Sequence, residues 1–131
     1  MKQVSPFLMF QDGKAEEAMN FYTSIVDDSQ ISEIKRAGKE GPGEEGEIVQ
    51  GTFVLKDQEF RCMDSSIKHE FDFTPSFSIF LECDSEDEIE ELFQKLSDGG
   101  KVLMPLDKYE ISRKFGWVND RYGVSWQLNL Q

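Results

Sequence analysis

Few side chains of this sequence combine the residue types and spacing that chemistry requires. The only histidine, His69, lies among charged residues in a connector, where an imidazole is normally solvated rather than a general base. Cys62 and Cys83 are far apart and lack metal-ligand spacing, so both are expected to be reduced thiols in the core. The acidic run of residues 86–91 is typical of a solvated helix face, not of a metal cluster. Residue types alone therefore offer no complete catalytic group.

One segment matches a nucleotide-binding motif by its letters. Residues 41–46 read Gly-Pro-Gly-Glu-Glu-Gly, a literal G-x-G-x-x-G. That motif needs a strand before it and a helix after it, with backbone amides aimed at a diphosphate. Here a β-like run follows, and two glutamates within the loop would repel phosphate. The segment is predicted to be a surface loop and not a nucleotide site.

The composition excludes several classes of partner. The 131 residues carry 26 acidic and 14 basic side chains, for a formal net charge of −12. Such a surface repels phosphate backbones and anionic lipids, so neither nucleic acid nor membrane is an expected partner. No stretch approaches the roughly 20 apolar residues that span a bilayer, and residues 1–10 do not resemble a signal peptide. The sequence therefore predicts a cytoplasmic protein of one domain.

Apolar periodicity predicts the elements that must position any site. One helix is expected at residues 14–26, capped by Asp12 or Gly13, and a second after the capping box of residues 85–88, ending at residues 99–100. Strands are expected at residues 4–10, 30–36, 47–55, 59–64, 75–83 and 101–104, followed by a hairpin over residues 115–130 that turns at 119–123.

This element order repeats, which predicts the fold class. Each half of the chain runs strand, helix, three strands, so the fold is expected to be α+β, built from two βαβββ modules. The modules are residues 1–66 and 74–131, joined by a connector at 67–73 within a single domain. In the last strand Val124, Trp126, Leu128 and Leu130 alternate with Ser125, Gln127 and Asn129. The polar set is expected to face either water or a ligand pocket.

Four segments resemble a known family. Residues 6–10, 15–22, 102–107 and 115–128 are similar to the PhnB-like branch of the vicinal-oxygen-chelate superfamily, which includes glyoxalase I, bleomycin-resistance proteins and extradiol dioxygenases. Members of this branch are often labelled 3-demethylubiquinone-9 3-methyltransferase. The sequence does not support methyl transfer, because it lacks a glycine-rich strand-to-helix turn to hold S-adenosylmethionine.

The resemblance also implies where a metal would bind. Enzymes of the superfamily hold a divalent metal with His and Glu on the first and last strands of each module. The corresponding positions here are Gln127, a residue near Ser78, a residue near Ser5, and one within residues 61–63. An amide and two hydroxyls are weak ligands, whereas a catalytic zinc or iron site wants about three anionic or imidazole ligands. We therefore expect no functional metal and no other cofactor.

Together these expectations favour a small-molecule-binding protein over an enzyme. It is predicted to hold a small, partly apolar ligand in a cleft, and the resemblance implies a homodimer, because related proteins commonly build or complete their clefts between subunits. The residues expected to line that cleft are Met9, Met63, Ser78, Trp117 and Gln127, with Ser5 and Ser125 as further candidates. Arg61 is expected either to meet an anionic ligand or to form a surface salt bridge. The alternatives are a lyase or dioxygenase with atypical metal ligands, a metal-free transferase, and a structural module whose cleft is packed shut.

Overall fold

The chain forms two compact units, Met1–Glu70 and Phe71–Gln131, in a computed structural model that describes residues 1–39 and 45–131. Each unit has the predicted order of strand, helix and three strands. The fold is therefore α+β, with two four-stranded sheets and two helices, as the sequence predicts. The boundary between the units falls inside the expected connector at residues 67–73. The assignment of both modules to a single domain stays a prediction.

The first unit packs one helix on one face of a mixed sheet. Its elements are β1 Phe7–Phe10, α1 Ala15–Ile25, β2 Ser29–Arg36, β3 Ile48–Leu55 and β4 Gln58–Asp64. The sheet order is β1-β4-β3-β2, with β1 parallel to β4 and the other pairs antiparallel. Tyr22 of α1 lies 5.9 Å from the ring of Phe53. A Cβ on Gly51 would lie 2.8 Å from Met19 Cε and 2.9 Å from Cys62 Sγ, so a larger residue would force these buried side chains to move.

The second unit repeats this plan. Its elements are β5 Ile79–Glu82, α2 Glu86–Ser97, β6 Lys101–Tyr109, β7 Ser112–Asn119 and β8 Ser125–Leu130. The order is β5-β8-β7-β6, with β5 parallel to β8. A Cβ on Gly116 would lie 2.5 Å from Phe93 of α2, so Gly116 does for this unit what Gly51 does for the first. Trp126, Leu128, Ile89 and Leu96 are fully buried between sheet and helix.

Four predicted strand boundaries were wrong: the first strand of the hairpin begins at Ser112 rather than at residue 115, and the other three involve a proline. The first strand begins at Phe7 rather than at residue 4, and the fifth at Ile79 rather than at residue 75. Pro6 directly precedes β1 and cannot donate to a ladder. Before β5 the chain turns, with Phe77 N donating to Thr74 O at 3.3 Å, so that strand starts only after the turn. The sixth strand runs past Pro105 to Tyr109 instead of ending at residue 104. It is an edge strand whose register shifts between Met104 and Asp107, so no ladder bond is required of Pro105.

The expected cap of the first helix was also wrong. Lys14 occupies the N-cap and makes no side-chain capping bond. Instead Asp64, at the end of β4, accepts hydrogen bonds from Ala15 N (2.8 Å) and Ile48 N (2.9 Å). The second helix begins as predicted, with Ser85 Oγ accepting from Glu88 N (3.1 Å), and it ends beside Gly99 at φ +77°.

Two further expectations from the sequence concern the glycine-rich motif and membrane-spanning segments. The glycine-rich motif of residues 41–46 lies largely outside the described residues, which omit 40–44. Over residues 1–39 and 45–131, no helix is long and apolar enough to cross a membrane.

Candidate functional site

The predicted site residues lie on one face of each sheet. Strand alternation separates the face that packs on the helix from its opposite, and Gly51 and Gly116, against which α1 and α2 pack, identify the first. We call the opposite face the helix-free face. In the first unit it carries Met9, Arg61 and Met63, and in the second Trp117, Ser125 and Gln127. Ser5 and Ser78 stand just before the edge strands β1 and β5.

Strand register shows which residues of the two units are equivalent. Gly51 pairs with Cys62 as Gly116 pairs with Leu128. Leu8 pairs with Cys62 as Leu81 pairs with Leu128. Cys62 and Leu128 are thus equivalent on the last strand of each unit. The residues directly before them, Arg61 and Gln127, are therefore counterparts. The same registers make three further pairs: Thr52 with Trp117, Glu59 with Ser125, and Ser5 with Ser78.

A hydrogen-bonded group of three residues lies on the helix-free face of the first sheet. Ser5 Oγ donates to Glu59 Oε2 at 2.6 Å, and Arg61 Nε lies 3.3 Å from the same oxygen. The bond from Ser5, and secondarily Arg61, hold the pKa of the Glu59 carboxyl below its ordinary value. The predicted salt bridge of Arg61 is thus confirmed, and Ser5 joins it through Glu59.

Apolar side chains flank this group. Phe7 is the register partner of Arg61 on β1 and is 56% exposed. Met9 and Met63 are register partners of each other and are half-buried. A charged group beside flexible apolar side chains suits a ligand with both kinds of surface.

The second sheet carries a different chain of hydrogen bonds at the equivalent positions. Trp117 Nε1 donates to Ser125 Oγ at 2.8 Å, and Ser125 Oγ lies 2.7 Å from Ser78 Oγ. Ser125 is only 1% exposed, so these bonds satisfy a hydroxyl that has little access to water. Three of the predicted site residues are therefore brought together in one network.

Gln127 and Asn119 have hydrogen-bonding capacity to spare on this face. Gln127 is half-buried between Trp117 and Phe80, its partners in the register, and its side chain makes no hydrogen bond within the described residues. Asn119 is the register partner of Ser125, and its Oδ1 is buried with no hydrogen-bond partner among the residues described. Such an acceptor is uncommon in folded proteins.

The expectation that the polar side of β8 is either wet or pocket-lining needs refinement. Ser125 and Asn129 are buried, and Asn129 Nδ2 donates to both carboxylate oxygens of Glu82 (3.1 and 2.9 Å). Ser112 donates to Asn129 Oδ1. Within this polar row only Gln127 remains for a ligand. The protein itself occupies the others.

Sequence reasoning missed Glu59 and Asn119. Glu59 lies two residues before Arg61, and period-two alternation would have placed both on one face. Asn119 was assigned to the hairpin turn, and nothing in its neighbours signalled a buried, unpartnered oxygen.

A broad depression of about 760 Å³ lies elsewhere in the first unit, near the start of α1. Three of its carboxylates have partners: Glu16 contacts Arg36, Asp12 lies 3.9 Å from Lys68, and Asp64 accepts from two backbone amides. None of the predicted site residues lines it. The depression is a structural feature around the helix start.

The residues at the superfamily's metal positions do not fit a metal. By the register they are Ser5, Arg61, Ser78 and Gln127, and a guanidinium in particular would repel a cation. The described residues contain no group of three His, Cys, Asp or Glu side chains placed to hold an ion. Burial raises the pKa of the Cys62 and Cys83 thiols to about 12, so neither is a ready thiolate ligand.

Comparison with known proteins shows the family of this chain. The family described as 3-demethylubiquinone-9 3-methyltransferase matches residues 2–129. The chain belongs to this family. A PhnB protein from Bacillus cereus is 53% identical, covering 99% of this chain and 100% of that one, with a TM-score of 0.95. A Pseudomonas aeruginosa protein is 27% identical over 100% and 98% of the two chains, with a TM-score of 0.85.

More distant structures share the fold. A glyoxylase/bleomycin resistance protein/dioxygenase domain from Frankia is 14% identical over 99% of this chain and 92% of that one, with a TM-score of 0.68. The fosfomycin resistance protein FosX from Listeria monocytogenes is 10% identical over 100% and 93%, with a TM-score of 0.62. No curated protein matches. The resemblance to PhnB-like proteins is confirmed by the family match and the PhnB protein, and the glyoxalase-type structures share the fold.

The residues do not fit the cofactor that the family's description implies. S-adenosylmethionine is commonly held at a glycine-rich turn between a strand and a helix. Between β1 and α1 the chain has one glycine, Gly13, and between β5 and α2 it has none. No methyl-transfer step is derived from this structure.

Proposed function

We propose that this PhnB-like protein of the glyoxalase superfamily binds a small, partly apolar molecule on the helix-free faces of its sheets, without a functional metal. The observation that carries the proposal is the group around Gln127. An uncommitted amide and the buried oxygen of Asn119 lie on the same face as Trp117 and Phe80. Ligand sites typically combine such apolar and aromatic surface with a few polar groups that fix orientation.

Energetics support an apolar contact at Phe80. Phe80 is 54% exposed, so covering it with an apolar ligand adds favourable burial. The polar group orients the ligand while the aromatic side chains supply most of the affinity.

The first sheet contributes the equivalent surface around Arg61, with Ser5, Met9 and Met63. Binding rather than catalysis is proposed because the described residues present no activated nucleophile or base on these faces. Cys62 lies on the helix side of its sheet with its pKa raised, and His69 lies in the connector with its backbone N–H donated to Gln11.

The two tryptophans provide a test, because they lie on opposite faces of one sheet. Trp117 Nε1 is bonded to Ser125 on the helix-free face, whereas Trp126 Nε1 donates to Asp120 in the core. Titration of ¹⁵N-labelled protein with 1-naphthamide, a neutral partly apolar probe, is expected to shift the Trp117 indole resonance saturably. The Trp126 resonance is the internal control and should move much less.

A substitution at Gln127 tests whether the Trp117 shift comes from the proposed site. Gln127→Ala is expected to weaken 1-naphthamide binding several-fold, and the exposed Gln58→Ala serves as the matched control. No saturable shift at Trp117, or equal shifts at both indoles, would contradict the proposed site.

The homodimer implied by the resemblance stays a proposal. Light scattering is expected to give twice the chain mass of 15.1 kDa. A single-chain mass at high concentration would refute it.

A further inference from the structure

Arg61 uses only part of its hydrogen-bonding capacity. Its Nε lies 3.3 Å from Glu59, and its two terminal nitrogens make no hydrogen bond within the described residues. The side chain is 47% exposed. Arg36 shows the opposite case, since its Nη1 and Nη2 contact the two carboxylate oxygens of Glu16 at 2.8 and 2.6 Å. The guanidinium of Arg36 is fully engaged, whereas that of Arg61 keeps its paired donors free.

Glu59 contacts Arg61 but leaves its two terminal nitrogens available to a ligand. Ser5 fixes the Glu59 carboxylate at 2.6 Å, and the Glu59 side chain is only 17% exposed. Its contact with Arg61 is made through Nε alone. The remaining Nη pair matches the spacing of two oxygens in a carboxylate or phosphate.

The surroundings of Arg61 are apolar on the β1 side. Phe7 lies beside it in the register and is exposed, and Met63 follows two residues later on the same face. In the second unit the counterpart is Gln127, a neutral amide, beside Phe80. Of these two equivalent positions, only the one on the first sheet therefore carries a cation.

We infer that Arg61 selects ligands in which a carboxylate or phosphate is joined to an apolar body. The inference rests on the proposed function and names the class of ligand for the first sheet. The terminal guanidinium nitrogens bind the two oxygens, and Phe7 and Met63 cover the apolar part. Glu59, kept in place by Ser5, orients the guanidinium.

The test compares isosteric charged and neutral probes by calorimetric titration. Wild-type protein is expected to bind 1-naphthoate at least about 10-fold more tightly than 1-naphthamide, because only the anion gains a charge-assisted bidentate contact. Arg61→Gln should abolish that preference, because 1-naphthoate then loses its charge-assisted contact. Arg36→Gln removes the same charge from a guanidinium already engaged by Glu16 and should leave the preference intact. A parallel titration with 1-naphthyl phosphate shows which oxyanion is preferred.

Each contrary outcome is distinct. Equal affinity of wild type for 1-naphthoate and 1-naphthamide overturns the inference and leaves the proposed function standing. A preference that survives Arg61→Gln, or that Arg36→Gln removes equally, also overturns it. If wild type binds neither probe, both the inference and the proposed function fail.

Discussion

Two equivalent serines have different hydrogen-bond partners. Ser5 donates to the carboxylate of Glu59, whereas Ser78 shares a hydrogen bond with the hydroxyl of Ser125. The same backbone position thus stabilises a charge in one unit and a neutral hydroxyl network in the other. The bond from Ser5 is the largest cause of the lowered pKa of Glu59. A hydroxyl donating to a carboxylate favours the ionised form.

Removing that hydroxyl should therefore raise the pKa of Glu59. In Ser5→Ala it is expected to move up toward the ordinary value of 4.5, while in Ser78→Ala it should stay as in wild type. A ¹³C NMR titration of the glutamate carboxyl carbons measures both. An unchanged Glu59 titration in Ser5→Ala would show that the bond does not hold the charge.

The same shift predicts how stability depends on pH. A lowered folded-state pKa contributes stability that is present above the unfolded value and lost as the pH falls through the folded value. Ser5→Ala should therefore destabilise the protein more at pH 7 than at pH 3, by urea unfolding. Equal destabilisation at both pH values would contradict the linkage.

At the scale of elements, Asp64 joins two structures that are distant in sequence. Its carboxylate accepts from the first amide of α1 and from the first amide of β3, and it is 5% exposed. Asp12, the cap that the sequence suggested, instead lies in an exposed ion pair with Lys68. Capping from another strand cannot be seen in local sequence, because it depends on where β4 ends relative to α1.

Truncating the two aspartates separates these interpretations. Asp64→Ala leaves two amides without their acceptor and is expected to cost about 2–4 kcal/mol of unfolding free energy. Asp12→Ala should change it by no more than about 0.5 kcal/mol, since exposed ion pairs contribute little. Urea unfolding at pH 7 measures both, and equal effects would contradict the assigned cap.

The order of the elements was predictable, and much of their pairing was not. Alternation and helical spacing are local, so they identified both βαβββ halves and the hairpin around Gly123. Proline placement misled the predicted end of β6, because a proline is tolerated within an edge strand and only the assembled sheet shows which strands lie at an edge.

At the scale of the molecule, the structural repeat identifies site residues that the sequence alone could not. The sequence placed one metal-equivalent position only within residues 61–63, and the paired registers single out Arg61 as the counterpart of Gln127. That choice needs the contacts of Gly51 and Gly116 with their helices, which no spacing rule supplies. The unpartnered Asn119 oxygen is likewise a product of packing. Residue types were predictable, but their partners were not.

The last prediction concerns metal dependence. The superfamily positions carry Ser5, Arg61, Ser78 and Gln127, three neutral side chains and a cation. Treatment with EDTA should therefore leave the thermal midpoint and 1-naphthamide affinity unchanged, and added Zn²⁺ should shift the midpoint by less than about 1 °C. His69→Ala is the control, because it removes the only imidazole, which lies in the connector. A Zn²⁺ effect that persists in His69→Ala, or a midpoint that falls with EDTA, would mean that the sheets hold a metal through residues that the register does not identify.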